Sequence, residues 1–307
     1  MSPLSISLID LHSHLTHTHT YSVAIFLSSA FLSSITFAHN SAANAFVALG
    51  GAVLVAETSE CVVTNCTFSS NSVSAIVAAG GALAAIQQSR LIVRSSTFAD
   101  SAATARGYCA RGLADAVTRC PVSFGGAIAV SASDVELVDT TLISSTATCI
   151  NGLHNCTSHG AAVAVLQDAR LAITGSTCEL NRLACPEASH CNLGDGGCLY
   201  IDSSVVELNT SRVRNNTVDG IGGGGGVFGA GSCVLRLSQS DISGNTAREG
   251  GGVLLKGSSV ASIVECTLRE NTATVAGALA AAEDASFTIA GSSVANNTGA
   301  RLSGIFA

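Results

Sequence analysis

A chain of 307 residues with a net charge of −7 has a single lysine, Lys256, among its 14 basic residues, so no basic stripe is available to hold a nucleic-acid backbone. Aromatic residues make up 4% and charged residues 11%, with 31 glycines and no tryptophan, so a large core must be filled in small increments by Ala, Val, Leu and Ile. Twelve cysteines without a Cys-x-x-Cys pair or a zinc-type Cys/His spacing argue against a thiolate metal centre and are too few for a scaffold made of disulfides alone.

Residues 1–20 hold His12, His14, His17 and His19 in a Ser/Thr-rich context and read as a leader. The apolar stretch from Tyr21 to Ala38 has two readings. It resembles a signal-peptide core without the usual preceding positive charge, and its end, Thr36-Phe37-Ala38-His39-Asn40-Ser41-Ala42, repeats the later Thr67-Phe68-Ser69-Ser70-Asn71-Ser72 as a partial first rung would. It is too short and too serine-rich to predict a membrane span. The division adopted is a leader or signal-like segment over 1–34 and a repeat domain over 35–307.

From Gly50 the unit Gly50-Gly51-Ala52-Val53 returns at Gly80-Gly81, Gly125-Gly126, Gly160-Ala161, Gly196-Gly197, Gly225-Gly226, Gly251-Gly252, Gly277-Ala278 and Gly304-Ile305. Copies start 26 to 45 residues apart, which is the pattern of a solenoid with insertions. After each Gly pair a strand alternates in size. The larger set (Val53/Val55, Ile128/Val130, Val163/Val165, Leu199/Ile201) is assigned to the core, and the smaller set (Ala82/Ala84, Ala127/Ala129, Ala162/Ala164), together with Ala52/Leu54 and Cys198/Tyr200, is assigned to the outer surface. A second strand alternates apolar with polar, as in Leu91-Ile92-Val93-Arg94 and Val206-Glu207-Leu208-Asn209. A third sends one anchor inward at Phe68, Phe98, Leu142, Cys178, Val213, Ile242 or Leu268. Three short strands per turn and about nine turns describe an all-β, single-stranded parallel β-helix, a rod on the order of 45 Å long at the usual strand spacing.

An asparagine follows the third strand at Asn71, Asn181, Asn215 or Asn216, Asn245, Asn271, and Asn296 or Asn297. Asparagine accepts the left-handed backbone of a tight corner, and its amide can bond the rungs on either side, so Asn71, Asn181, Asn245 and Asn271 are predicted to form a corner ladder. The rungs starting at Gly80, Gly125 and Gly160 carry insertions of 19, 9 and 10 residues after this corner, relative to the 26-residue unit. Each insertion holds two cysteines: Cys109 and Cys120, Cys149 and Cys156, Cys185 and Cys191. One local disulfide per loop is expected, with cross-links between neighbouring loops as the alternative. Cys178 and Cys198 read as small apolar core residues. Sequons at Asn65, Asn155, Asn209, Asn215 and Asn296 point, with the cysteines, to an oxidising secretory route and mark candidate glycosylation sites.

Gly50-Gly51-Ala52-Val53 with Thr67-Phe68-Ser69-Ser70-Asn71, and Gly251-Gly252-Val253-Leu254 with Thr267-Leu268-Arg269-Glu270-Asn271-Thr272-Ala273, resemble the repeat of the chlamydial polymorphic outer-membrane proteins. More broadly they resemble the repeats of pectate-lyase-like β-helix proteins. The resemblance runs over roughly residues 35 to 307. It implies a right-handed coil and a secreted or surface-exposed, adhesin-like passenger.

Acidic residues recur just past the first strand at Glu57, Asp134, Asp168, Asp202 and Glu283/Asp284, but Gln87 and Lys256 interrupt the series. They read as solvated turn residues rather than a calcium stack, and no cofactor or metal is expected. His154, His159 and His190 lie in insertions and read as solvent-exposed, and Gly222–Gly226 lacks the Lys-Ser/Thr of a phosphate loop. The expectation is therefore a non-enzymatic, extracellular or cell-surface recognition module with a glycan or surface-protein ligand. Its contact surface is placed on the segments Ala102 to Phe124, Thr146 to His159 and Arg182 to Asp195. The competing expectation is a polysaccharide lyase or glycoside hydrolase, which would bring two carboxylates within about 10 Å of each other in a groove.

Overall fold

The computed structural model describes residues 23–44, 46–106, 121–150, 156–184, 191–301 and 304–306. The chain winds as a right-handed parallel β-helix. One sheet of ten strands, three of nine and one of five run along the rod, and every strand pair is parallel. Successive rungs contribute one strand to each long sheet, as in Val53–Ala56, Glu60–Thr64, Thr67–Ser69 and Ser72–Ala75. These four define the first to fourth sheets. The fourth strand adds to the three expected from the sequence. Its side chains are mostly Ser, Thr and Ala, which give little size contrast for alternation to reveal.

A fifth sheet spans the first five rungs: Val47–Leu49, Val77–Ala79, Val122–Phe124, Cys156–His159 and Cys191–Asp195. Val23–Phe26 and Ser29–Ser33, which the sequence reading placed in a leader ahead of residue 35, pair in register with Val53–Ala56 and Glu60–Thr64. Ile25 and Leu32 are buried in the core, so the described coil starts at Val23. No helix among the described residues is long and apolar enough to cross a membrane.

The Gly pair sets the corner that leads into the first sheet. Gly80 has φ +67°, where an L side chain is strained, and a Cβ on Gly81 would collide with the Gly126 carbonyl of the next rung. Where alanine stands at the second place, at Ala161, its methyl joins Leu183, Val218 and Ala247 in a small apolar cluster. The larger side chains of the first strand face the core as expected, joined by Leu91, Val93, Leu137 and Leu208 from the second sheet. Ala52, Ala82, Ala127, Ala162 and Cys198, assigned from sequence to the outer surface, belong instead to the same core, because they precede the strand at the corner. Phe37, Phe68 and Phe98 stack along the third sheet with centroids 4.8 and 4.4 Å apart.

Three polar ladders run up the inside corners. Asn181 donates from Nδ2 to Asn216 Oδ1 at 2.9 Å, Asn216 to Asn245 at 2.9 Å, Asn245 to Asn271 at 3.0 Å and Asn271 to Asn297 at 3.0 Å. Asn40 donates in the same way to Asn71. Each Oδ1 also accepts the backbone N–H of the corner residue one rung back, as Asn271 does from Asn245 at 3.0 Å. Buried backbone groups that the strands leave unpaired are satisfied in this way. A second ladder of Ser96, Ser176, Ser211, Ser240 and Ser292 bonds backbone N–H groups between the second and third sheets, with Cys66 and Cys266 at equivalent places. Ser59, Ser133 and Ser204 do the same between the first and second sheets.

Two disulfides join described residues. Cys149 pairs with Cys156 across the base of the second insertion. Cys178 and Cys198, read from sequence as apolar fillers, are joined with S–S 2.04 Å. The third-sheet anchor and the entry to the next rung face each other across the interior, a juxtaposition that spacing along the chain does not reveal. Cys61, Cys66, Cys233 and Cys266 are free and buried, and burial pushes the Cys61 thiol up to about 12. Cys109, Cys120, Cys185 and Asn155 lie outside the described residues, as does the side chain of Cys191.

Candidate functional site

The outward face of the first sheet was expected to be bare scaffold, but it is buried. Leu54, Ala84, Ala164, Phe228 and Leu254 point away from the core and are at most 4% exposed. The left-handed corner position is Gly125, Gly160, Gly196, Gly224, Gly250 or Ala276, one residue ahead of the expected pair in the last three rungs, and the residue before it lies against this face. Phe124 and Val275 pack against the cluster that Ala164, Tyr200, Phe228, Leu254 and Ala280 form on it. A re-entrant outer corner results, with three rows of side chains running along the rod.

The first row, before these left-handed positions, reads Phe124, His159, Asp195, Gly223, Glu249 and Val275. Its order follows from the pairing of Phe124 with His159, His159 with Asp195, Gly223 with Glu249, and Glu249 with Val275, and from Gly223 donating to Asp195. The second row, on the first sheet, runs Ala164, Tyr200, Phe228 and Leu254. The third holds Asp202, Ala230 and Lys256. All three insertions return to the rod at this corner, and their last residues, Phe124, His159 and Asp195, are consecutive neighbours in one sheet. The expected contact segments thus converge at their C-terminal ends. The structure does not describe residues 107–120, 151–155 and 185–190, which make up most of the insertions.

Aromatic rings form a stack along the corner. His159 lies 5.4 Å from Phe124 and 4.3 Å from Tyr200, and Tyr200 lies 5.5 Å from Phe228 with the two planes 4° apart. Lys256 Nζ sits 5.9 Å from the Phe228 ring centroid and 3.6 Å from Glu249 Oε2. Asp195 is 7% exposed, and its Oδ1 accepts the Gly223 N–H at 2.9 Å. Burial raises its carboxyl above the usual range, while the Gly223 bond and Lys256 oppose that shift. Burial also raises the Tyr200 phenol, with Asp202 and Asp195 adding to the effect.

His159 departs furthest from its sequence reading. It is held between two rings rather than exposed, its Nδ1 is buried without a partner, and burial lowers it from 6.5 to about 4. An unmatched buried nitrogen costs about 1–3 kcal/mol. His159→Phe, which continues the aromatic stack, is expected to raise the melting temperature.

The pH dependence has a definite sign. The unfolded chain binds a proton at His159 below 6.5 and the folded chain only below about 4, so wild type loses up to about 3 kcal/mol as pH falls through that window. Asp195, with its raised carboxyl, acts in the opposite sense, but it is common to both proteins. Thermal melts of the two from pH 7 to pH 4 should therefore diverge, and parallel curves would refute this account of His159.

The acidic residues after the first strand do not converge on one site. Glu57, Asp168 and Glu283 are corner residues with positive φ, and Asp134 lies between Arg90 and Arg170 in the second sheet. Only Asp202 reaches the aromatic corner. Among the described residues no group of three or more His, Cys, Asp and Glu side chains is placed to hold a metal. The sequon asparagines Asn65, Asn209, Asn215 and Asn296 are all exposed. A cavity beside the Cys178–Cys198 disulfide is lined by Leu142, Ile173, Leu208 and Val213, lies inside the coil and measures about 10 Å³, room for one water at most.

Fold and corner together describe a right-handed parallel β-helix whose outer corner holds a largely buried row of aromatic and acidic side chains. No family model, curated protein or solved structure matches the chain.

Proposed function

We propose that this chain is a non-enzymatic recognition module of the extracellular space or cell surface, akin to the adhesin-like proteins whose Gly-Gly-Ala and Thr-Phe-x-x-Asn repeats it resembles. The observation that carries the reading is the convergence of three insertions on one corner, where Phe124, His159 and Asp195 meet Tyr200, Phe228 and Lys256. Rigid solenoids bind through such local departures from a uniform rung. Exposed sequons and the two disulfides agree with an oxidising compartment. A glycan and surface-protein array probed with the full chain tests the proposal. Bound ligands should be lost at least tenfold on Tyr200→Ala, a variant checked for folding by circular dichroism. Binding that is unchanged in a folded Tyr200→Ala protein would sink it.

One observation favours the enzymatic alternative. Asp195 and Glu249 occupy the same row two rungs apart, about 10 Å along the rod, with Asp195 raised toward a proton donor's range. Against this, Asp195 is committed to Gly223 and Glu249 is paired with Lys256. Reducing ends or unsaturated products released from polysaccharides by wild type, and abolished by Glu249→Gln, would replace the recognition reading with hydrolysis or elimination.

A further inference from the structure

The rung repeat supplies an internal comparison. At one level of the corner an ammonium is already present: Lys256 Nζ, against the Phe228 ring and the Glu249 carboxylate. One rung back in the same row stands Ala230, and one further back Asp202. Here, among the described residues, the corner keeps its carboxylates without an ion-paired cation, Lys256 acting on Asp195 only from a distance. Among the described residues neither Asp195 nor Asp202 has a basic side chain within 4.0 Å. Asp195 uses one oxygen for the Gly223 N–H, and Asp202 Oδ1 accepts only the neighbouring Ser203 hydroxyl at 3.0 Å.

The chemistry at this level is rich in acceptors and poor in donors. Asp202 and Asp195 lie near enough to the Tyr200 phenol to raise it, and His159, whose Nδ1 is buried without a partner, lies 4.3 Å from the Tyr200 ring. Both faces of the Tyr200 ring are covered, by His159 and Phe228, so the ring offers its oxygen rather than a stacking surface. Among the described residues Asp195, Asp202 and Glu249 stand against a single lysine at this corner, an excess of negative charge that repels acidic polysaccharides and attracts a cation.

We propose that the corner between Asp195, Asp202 and Tyr200 binds a primary ammonium group carried by an amino sugar. The inference rests on the recognition reading above and names its ligand class. An ammonium brings three donors, and the hydroxyls beside it on a sugar ring supply further donors to the remaining acceptors. A lysyl side chain brings the ammonium on an apolar stem and leaves those acceptors unmatched.

The test is calorimetric titration of the full chain with four probes: a glucosamine hexamer, its N-acetylated counterpart, a galacturonic acid hexamer and a lysine-containing hexapeptide. The glucosamine hexamer should bind at least tenfold more tightly than the other three and weaken as salt is raised. Asp202→Asn should weaken it at least tenfold with an unchanged melting temperature. Ala230→Lys should abolish it, because that side chain repeats Lys256 one rung earlier and fills the site from within. Equal binding of the acetylated hexamer, tighter binding of the peptide, or full affinity in folded Ala230→Lys would overturn the proposal. Array ligands lacking an amine, retained while the glucosamine hexamer is not, would overturn the ammonium site and leave the recognition reading standing. Failure to bind any ligand in either assay would remove both.

Discussion

Asn245→Ala is expected to destabilise the rod by about 4 kcal/mol or more, because one side chain serves four partners. Its Oδ1 accepts from the Asn216 backbone N–H at 3.0 Å and from Asn216 Nδ2 at 2.9 Å. Its Nδ2 donates to the Val213 carbonyl at 2.9 Å and to Asn271 Oδ1 at 3.0 Å. All four lie in a corner where Asn216, Asn245 and Asn271 are 0% exposed. Each buried group left unmatched costs about 1–3 kcal/mol, discounted where water can enter the space vacated. Urea unfolding gives the total, and hydrogen exchange at the Asn216 amide gives the local effect. A solenoid is stabilised by neighbour contacts, so protection should fall mainly in the rungs flanking Asn245. Asn245→Ser should cost less, since Ser101 and Ser145 occupy the same corner three and two rungs earlier than Asn216 and leave the coil intact. Asn215→Gly, at an exposed position where the next rung has Gly244 with φ +64°, is the control and should cost less than about 0.5 kcal/mol. Equal losses at Asn245 and Asn215 would refute the ladder as a source of stability.

The repeat was legible because its signals are local. Gly-Gly followed by alternating small and large apolar residues identifies a corner and a strand within eight residues, and the large residues do face the core. Other features depend on residues that touch only once the chain has coiled. Serine is an ordinary turn residue, so nothing in Ser96, Ser176 or Ser211 separately announces a buried ladder. Cys178 and Cys198 sit in different strands 20 residues apart, and only the turn of the coil faces one with the other.

The candidate site shows the same division. The insertions could be read from spacing and return to this corner, but Tyr200, Phe228 and Lys256 come from three rungs and meet only through register. A signal was present all the same: Tyr200 and Phe228 occupy outer first-strand positions where four earlier rungs have Leu54, Ala84, Ala129 and Ala164. A bulky aromatic residue at a place otherwise held mostly by alanine indicates that the corner differs there. His159 was misread because a histidine at the end of a polar insertion resembles a loop residue, whereas it is the last residue of a strand.

Phe98→Ala tests the packing half of the same structure and should cost about 3–5 kcal/mol. Phe98 is fully buried and stacks on Phe68 at 4.4 Å with the rings 2° apart, in a row that continues to Leu142 in the next rung. Truncation removes the apolar area of a whole ring and leaves a void between two rungs whose backbones are fixed by strand pairing on four sides, so collapse can recover little. The row itself supplies a graded comparison. Leu142, Val213, Ile242 and Leu268 occupy the same position elsewhere in the third sheet, so the coil diameter admits an aliphatic anchor. Phe98→Leu should therefore cost about 1–2 kcal/mol, losing the ring stacking and part of the area but leaving a smaller void. Denaturant midpoints for the two variants measured with that of Asn245→Ala would weigh the apolar and polar supports of one coil. A Phe98→Ala loss no larger than that of Phe98→Leu would mean that the rungs close over the void, and that the inner aromatic stack is not what fixes the coil at its N-terminal end.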